Sequence, residues 1–236
     1  MKTVHVNTSK PYDVCIGENL LDNAASLILN VKKGKKFFNK EFWKYALGFN
    51  IPLLAYYLSQ VVFNQSDRIM ISHITSTSDA AMYGVAYNLA MILTFVLNAI
   101  NGSYVPWLYG KIKKNNAQDN KSISLILIML MGLIILCVIW YAPEIILIMA
   151  GKQYSVAIYV VAPVSMSLLL LFYSQLFINI EFYYEEKKML VYGSIGAAVL
   201  NIILNGLLIP IFGFVAAGYT TLISYIVFAL SNYYTM

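Results

Sequence analysis

The sequence predicts an all-α, polytopic membrane protein of six transmembrane helices. Three observations carry that expectation: composition, long charge-free windows and the one-sided placement of lysines. Of the 236 residues, 60% are apolar and 11% charged, with a mean hydropathy of +0.68, whereas a soluble domain carries about 25% charged residues. The 16 basic and 11 acidic side chains cannot clothe a water-soluble globule of this length, so lipid is the solvent that suits the chain. A net charge of +5 would suit nucleic acid if the lysines formed one patch. They sit instead in short clusters between uncharged runs, and no nucleic-acid partner is expected. Cys15 and Cys137 are far apart, and Cys137 lies inside an apolar run; neither a disulfide framework nor a metal site is expected.

Taken in chain order, residues 1–30 stand apart from the rest. No apolar stretch or small-residue cleavage site marks a signal peptide there. Val4 and Val6 alternate with polar residues, as do Tyr12, Val14 and Ile16 up to Gly17, which predicts two short strands joined by a turn containing Pro11. Leu20, Leu21, Ala24, Leu27 and Ile28 then follow a helical period. Residues 31–44 are a basic linker with six lysines, Lys32, Lys33, Lys35, Lys36, Lys40 and Lys44.

From there the charge-free windows begin, over residues 45–66, 80–110, 122–143, 153–180 and 189–236. Each supplies the roughly 20 residues that cross a ~30 Å hydrocarbon core. As one helix the last would be ~72 Å long at about 1.5 Å per residue, so it folds into a hairpin. The expected break is Ile209-Pro210-Ile211-Phe212-Gly213, because proline lacks an amide donor and glycine permits the turn. That makes six spans. A transmembrane barrel would alternate polar and apolar residues in short segments, whereas Ile123 to Met131 is apolar on nearly every side.

Lysine placement gives the orientation. The linker, the loop with Lys111, Lys113, Lys114 and Lys121, and the loop with Lys187 and Lys188 hold twelve cations, against Arg68 and Lys152 on the opposite side. By the positive-inside rule both termini are cytoplasmic, which requires an even number of spans.

Two resemblances follow from particular residues. Met1-Lys2-Thr3-Val4-His5-Val6 and Tyr12-Asp13-Val14-Cys15-Ile16-Gly17-Glu18-Asn19-Leu20-Leu21 resemble the opening of 3-dehydroquinate synthase over about 28 positions. The cofactor and zinc residues of that family have no counterpart here. With only His5 and His73, no histidine zinc cluster can form, so no shikimate-pathway activity, cofactor or metal is expected.

The membrane body, residues 42–236, carries Pro52-Leu53-Leu54, Ser59 and Ser66-Asp67-Arg68-Ile69-Met70-Ile71. Next come Tyr83-Gly84-Val85-Ala86-Tyr87-Asn88-Leu89-Ala90, Pro106-Trp107-Leu108-Tyr109 and Gly151-Lys152-Gln153-Tyr154-Ser155-Val156-Ala157. The series closes with Asn201 to Asn205, Ile209 to Gly213 and Ala216-Ala217-Gly218. In order and spacing this body resembles the second six-helix lobe of the polysaccharide and lipid-linked oligosaccharide flippases of the MOP superfamily. The resemblance implies one lobe of a two-lobed transporter in the bacterial plasma membrane, with a cavity between lobes. A lipid-linked sugar would be the substrate, and a second lobe or a second copy the partner.

Candidate substrate-binding residues come from helical faces. Tyr56, Gln60, Asn64 and Asp67 share one face of span one, and Tyr83, Tyr87, Met91, Thr94, Asn98 and Asn101 one face of span two. Polar stripes are costly against lipid, so they face other helices or a water-filled cavity. Aromatic faces and amides suit sugar rings and hydroxyls. The bland alternative is that tyrosines form interfacial belts and asparagines join helices. Asp67 and Arg68 are adjacent opposite charges. Arg68 offers a planar fork for phosphate or sugar, Asp67 holds it or answers to protons, or the pair merely anchors a helix end. The cavity candidates are therefore Gln60, Asn64, Asp67, Arg68, Tyr83, Tyr87, Asn98 and Asn101. Asn201 and Asn205 are expected to bond between helices, and Gly193, Ala197, Gly213, Ala217 and Thr221 to pack spans five and six closely. Glu181, Glu185 and Glu186 are expected in a solvated turn.

A drug or cation exporter of the same superfamily is the alternative within transport. A membrane-bound glycosyl enzyme is disfavoured, because Asp79, Glu144, Lys152 and His73 on the outer loops are too scattered for catalysis. A non-transporting fusion product is a further alternative, raised by the mismatched first thirty residues and the single lobe.

Overall fold

A computed structural model describes residues 2–6, 12–16, 40–114, 119–185 and 188–234. Near the N-terminus, β1 (Lys2–Val6) and β2 (Tyr12–Ile16) pair antiparallel, with Val4 opposite Val14 and Val6 opposite Tyr12. The two alternating segments thus form strands. The turn with Pro11, the helical period from Leu20 to Ile28 and most of the basic linker lie outside the described residues.

The membrane lobe is all-helical. Its elements are α1 (Lys40–Ile74), α2 (Thr77–Lys113), α3 (Asp119–Met149), a 3-10 turn over Lys152–Ala157, α4 (Ile158–Tyr183), α5 (Lys188–Phe212) and α6 (Val215–Tyr234). Six helical segments among the described residues are long and apolar enough to cross a membrane. The chain is a multi-pass membrane protein.

α1 to α5 each run past an edge of their charge-free windows, whereas α6 lies inside the last one. α1 begins at Lys40 and continues past Asp67 and Arg68 to Ile74, so those charges lie within a helix rather than at its end. Between α1 and α2 only Thr75 and Ser76 remain outside a helix, and the Ser76 hydroxyl caps α2 by accepting the Asp79 amide at 3.1 Å. α3 runs through Pro143 and Glu144 to Met149. The break expected around Pro210 also moves. α5 continues through that proline to Phe212, and the chain turns at Gly213, whose φ is +71°. The Gly213 amide donates to Ile209 O at 2.9 Å, a left-handed cap that glycine adopts without a Cβ penalty. Glu181 corrects another expectation. It lies buried in the last turn of α4 and is not a solvated turn residue.

α6 is the helix around which the lobe closes. It packs along both α4 and α5, while α2 packs along α4, and α3 along α4 and α2. Its small residues explain this: Ala216, Ala217, Gly218, Thr220, Thr221, Ser224 and Ala229 are buried, and in lipid close backbone approach supplies packing that the hydrophobic effect does not. A Cβ on Gly218 would lie 3.0 Å from Pro163 Cγ and 3.4 Å from Val160 Cγ1 on α4, and one on Gly193 would lie 2.5 Å from Ser231 Oγ on α6. At the other extreme, α3 buries a single stripe of Met131, Ile135, Ala142 and Ile146, and exposes Ile126, Met129, Leu133, Leu136 and Trp140. That exposure fits a lipid-facing helix.

α1 is attached differently. Beyond Asn50 its backbone approaches the other helices only sparsely, yet Leu53, Tyr56, Ser59, Phe63, Asp67 and Ile71 are buried along one stripe. Side chains, not close backbone packing, join it to the lobe.

Gly218→Ala should destabilise the lobe by about 1–3 kcal/mol, because the rigid Pro163 ring cannot yield. Gly132→Ala, where an added Cβ meets nothing within 4 Å, should be neutral or stabilising by up to ~1 kcal/mol. Thermal unfolding in detergent measures both, and equal destabilisation would refute a tight α4–α6 contact.

Candidate functional site

Asp67 occupies the centre of a polar knot tying α1, α2, α5 and α6 together. It is 0% exposed. Its Oδ2 accepts the Tyr83 hydroxyl at 2.5 Å and the Thr221 hydroxyl at 2.7 Å, and its Oδ1 accepts the Asn205 amide at 2.6 Å. Around this first ring, Asn201 Oδ1 accepts from Asn205 Nδ2 and from Ser66 Oγ, each at 3.2 Å. Asn201 Nδ2 donates to Thr221 at 3.3 Å, and the Thr220 hydroxyl donates to Asn205 Oδ1. All of these side chains are fully buried or nearly so except Ser66, which is half-buried. A carboxyl group in a low-dielectric interior is tolerated only when its lone pairs are occupied, and here neutral donors from three helices occupy them.

Arg68 does not share this knot. Successive residues on a helix point about 100° apart, and Arg68 turns to the outer side of α2. Its Nη2 donates to Asn88 Oδ1 at 2.8 Å, and its Cζ sits 5.0 Å from the Tyr87 ring centroid. Gly84 completes the cradle, since a Cβ there would lie 4.0 Å from both Cζ and Nε. Gly84, Tyr87 and Asn88 stand at i, i+3 and i+4, one face of α2. Arg68 Nε is buried with no hydrogen-bond partner among the described residues. Beside the cradle, the Tyr87 hydroxyl donates to Asn64 Oδ1 at 2.6 Å, and the Tyr83 and Tyr87 rings stack at 5.9 Å.

The remaining candidates separate from this site. Asn101 donates to Gln175 Oε1 and accepts from Asn179 Nδ2 at 3.2 Å, an amide clamp between α2 and α4. Gln60 is half-buried and Asn98 exposed, and neither hydrogen-bonds a described residue. The structure therefore brings together Asn64, Asp67, Arg68, Tyr83 and Tyr87, and leaves Gln60, Asn98 and Asn101 apart. Asn88, Gln175, Asn179 and Thr220 escaped the sequence reading. Gln175 and Asn179 carried a signal, two amides four residues apart in an uncharged window. Asn88 carried the same spacing relative to Gly84.

Next to the cradle, a cavity of about 230 Å³ between α2 and α3 is lined by Val85, Asn88, Leu89, Ile92, Ile146 and Met149, among others. It is almost wholly apolar. Among the described residues no cluster of three His, Cys, Asp or Glu could hold a metal ion.

Six apolar helices with small-residue packing and a buried polar knot define a membrane-embedded helical lobe, and comparison with known proteins shows which fold it has. The chain has the fold of one half of a MOP-superfamily transporter. It superimposes on a multidrug resistance MATE family transporter of the MOP superfamily, seen outward-facing, with a TM-score of 0.63 at 19% identity, covering 79% of this chain and 43% of that one. A MOP-superfamily transporter from Pyrococcus furiosus gives a TM-score of 0.60 at 18% identity, again over 79% and 43%. In sequence, residues 18–110 match the family described as polysaccharide biosynthesis protein. That match opens at Glu18, within the first thirty residues. A curated relative, Lsg locus putative protein 1 of Haemophilus influenzae, is 27% identical over 167 residues, 67% of this chain and 40% of its own length. The chain spans less than half the length of each of these relatives.

Asp67→Asn replaces an accepting oxygen with a donor facing other donors. It should destabilise the lobe by about 1–3 kcal/mol or more, whereas Asn98→Ala should stay within about 0.5 kcal/mol of wild type. Denaturant unfolding of the purified chain in detergent reads the difference, and two unchanged midpoints would show that the knot is not structural.

Proposed function

We propose that this chain forms one lobe of a flippase that carries a lipid-linked sugar intermediate across the bacterial plasma membrane for polysaccharide biosynthesis. The observation that carries the reading is Arg68. It is the sole arginine, it is held by Tyr87, Asn88 and Gly84, and its Nε has no hydrogen-bond partner among the described residues. A fixed guanidinium with donors to spare suits a sugar diphosphate, which it can grip through two oxygens at once. Tyr87 and Asn64 beside it suit sugar rings and hydroxyls. The polysaccharide biosynthesis match over residues 18–110 favours the same substrate class.

The rival reading is a drug or cation exporter of the same superfamily. It draws on the embedded carboxylate of Asp67, but that group is 0% exposed and engaged by three donors. Transport rather than catalysis fits the lobe, in which Asp79, Glu144, Lys152 and His73 stand apart as single polar groups. No 3-dehydroquinate synthase chemistry is proposed for the first thirty residues; they and the basic stretch 31–44 are placed at the cytoplasmic face.

A partner is part of the proposal. Asn98, Gln65 and Asn88 are exposed on α1 and α2, an arrangement that costs free energy against lipid and is relieved by a facing lobe. A separately supplied first lobe fits better than a second copy, because a face built for one partner need not complement itself.

In proteoliposomes, this chain alone should not flip lipid-linked sugar, whereas the chain with a complementary lobe should. In the active assembly Arg68→Ala should reduce flipping roughly ten-fold or more, the loss of about 1.5–3 kcal/mol of charged hydrogen bonding, and Lys152→Ala should not. Equal rates at equal abundance would remove Arg68 from the substrate path, and robust flipping by the monomer would remove the partner.

The twelve-to-two asymmetry of cations supports a topology with both termini in the cytoplasm. On a background lacking Cys15 and Cys137, a cysteine at Asn116 should resist an impermeant thiol reagent added outside intact cells. One at Gln153 should react, and the opposite pattern would invert the topology.

A further inference from the structure

A second cavity, about 390 Å³ in volume, opens between α3 and α4. It lies well away from the cradle of Arg68. α2 carries Asn88 beside Arg68 and, sixteen residues later, Tyr104, whose hydroxyl donates to Asn120 Oδ1 at the start of α3 at 2.7 Å. Sixteen residues of helix span ~24 Å, most of a hydrocarbon core. The cavity therefore opens at the opposite end of the bundle, where α2 ends in Lys111 and Lys113.

Its walls divide by chemistry. At the mouth are Asn120, Lys121 and Ser124, and along its depth are Leu125, Ile128, Tyr173, Leu176, Phe177 and Ile180. Lys121 is exposed and has no partner among the described residues. Asn120 Oδ1 accepts from Tyr104 at 2.7 Å and from Ser124 at 3.3 Å, so its acceptor is spent, while its Nδ2 has no acceptor among the described residues. The mouth thus offers a cation and an amide donor above an apolar channel, and the volume falls in the range of ligand pockets.

We propose that this groove is a binding site for an anionic glycerophospholipid of the surrounding bilayer. Its phosphate sits against Lys121 and Asn120, and an acyl chain lies between Leu125, Ile128, Leu176 and Ile180. The charge complementarity selects the headgroup, since a lysine between transmembrane helices at the membrane face attracts anionic lipid. A bilayer lipid, rather than the transported species, is the occupant because the groove opens to the lipid-facing side of α3 and lies the length of the bundle from Arg68. The site does not depend on the transport reading.

The test uses the full chain, purified in detergent, with phosphatidylglycerol and phosphatidylcholine as probes and native mass spectrometry to count retained lipid. Wild type should retain phosphatidylglycerol in preference to phosphatidylcholine. Lys121→Gln should lower phosphatidylglycerol retention about five-fold and leave phosphatidylcholine unchanged, and Lys152→Gln should change neither. Leu125→Trp, at an exposed position on the groove wall, should reduce retention of both lipids. Circular dichroism confirms that each variant keeps its helices. Equal retention by wild type and Lys121→Gln would overturn the proposal. So would cross-linking of a photoreactive phosphatidylglycerol to α1 and α2 rather than to α3 and α4, or its displacement by an equimolar lipid-linked sugar.

Discussion

A carboxyl group with no exposure to solvent is the constraint to which much of this lobe answers. Inside a bilayer there is no water to occupy the oxygens of Asp67, and each unsatisfied lone pair would cost on the order of kcal/mol. Tyr83, Asn205 and Thr221 therefore converge from α2, α5 and α6, and each must itself be held in place. Asn201 orients Asn205 from one turn away, and Thr220 donates to the Asn205 oxygen. The register of four helices follows from one acid. Such hydrogen bonds are individually modest, and their value lies in direction: sliding any of the helices by one residue would leave several groups unsatisfied at once.

The same acid shows where sequence reading succeeds and where it stops. Six spans were legible because bilayer thickness imposes a length on every crossing, and the charge-free windows found each one. Their ends were not. A charge suggests a helix end when the membrane is read as uncharged length, but Asp67, Arg68 and Glu144 are carried inside helices, the first because tertiary donors neutralise the cost. Glu181 departs from expectation too, buried at a position where local composition suggests a solvated turn. Within the expected break from Ile209 to Gly213, Pro210 does not end the helix, since proline near a helix end removes one amide without forcing a turn. The turn needed a positive φ, which Gly213 supplies.

The candidate site was half legible. Helical period alone grouped Asn64 with Asp67 and Tyr83 with Tyr87, and the structure joins these two pairs across α1 and α2. Adjacency misled in the case of Asp67 and Arg68. Neighbours in sequence are a hundred degrees apart on a helix, so one turns to the interior and the other to the cradle on α2. Partners contributed from 138 and 154 positions away, Asn205 and Thr221, are invisible to any periodicity within one span. By helical period the amides of Asn98 and Asn101 share one face, yet Asn101 is clamped to α4 while Asn98 is exposed, because the boundary of a buried stripe depends on where the next helix lies.

Two modes of attachment coexist in the lobe, and their difference bears on how such a protein can move. α6 is gripped by α4 and α5 through glycine, alanine and threonine at close range, a contact that resists sliding since even a Cβ on Gly218 would lie 3.0 Å from Pro163 Cγ. α1 meets its neighbours with sparse backbone approach and is joined through long side chains and the Asp67 knot. In lipid, apolar side chains gain little by leaving hydrocarbon for a helix neighbour, so α1 depends disproportionately on these few directional bonds. A helix held in that way has discrete positions rather than a continuum, because its polar groups must all be paired before and after any shift. Arg68, one residue from the knot, moves with it. A rearrangement of the Asp67 partners would therefore carry the guanidinium along with α1, while the α4–α5–α6 core stayed fixed, coupling the register of the first helix to the one cationic group that faces the cradle.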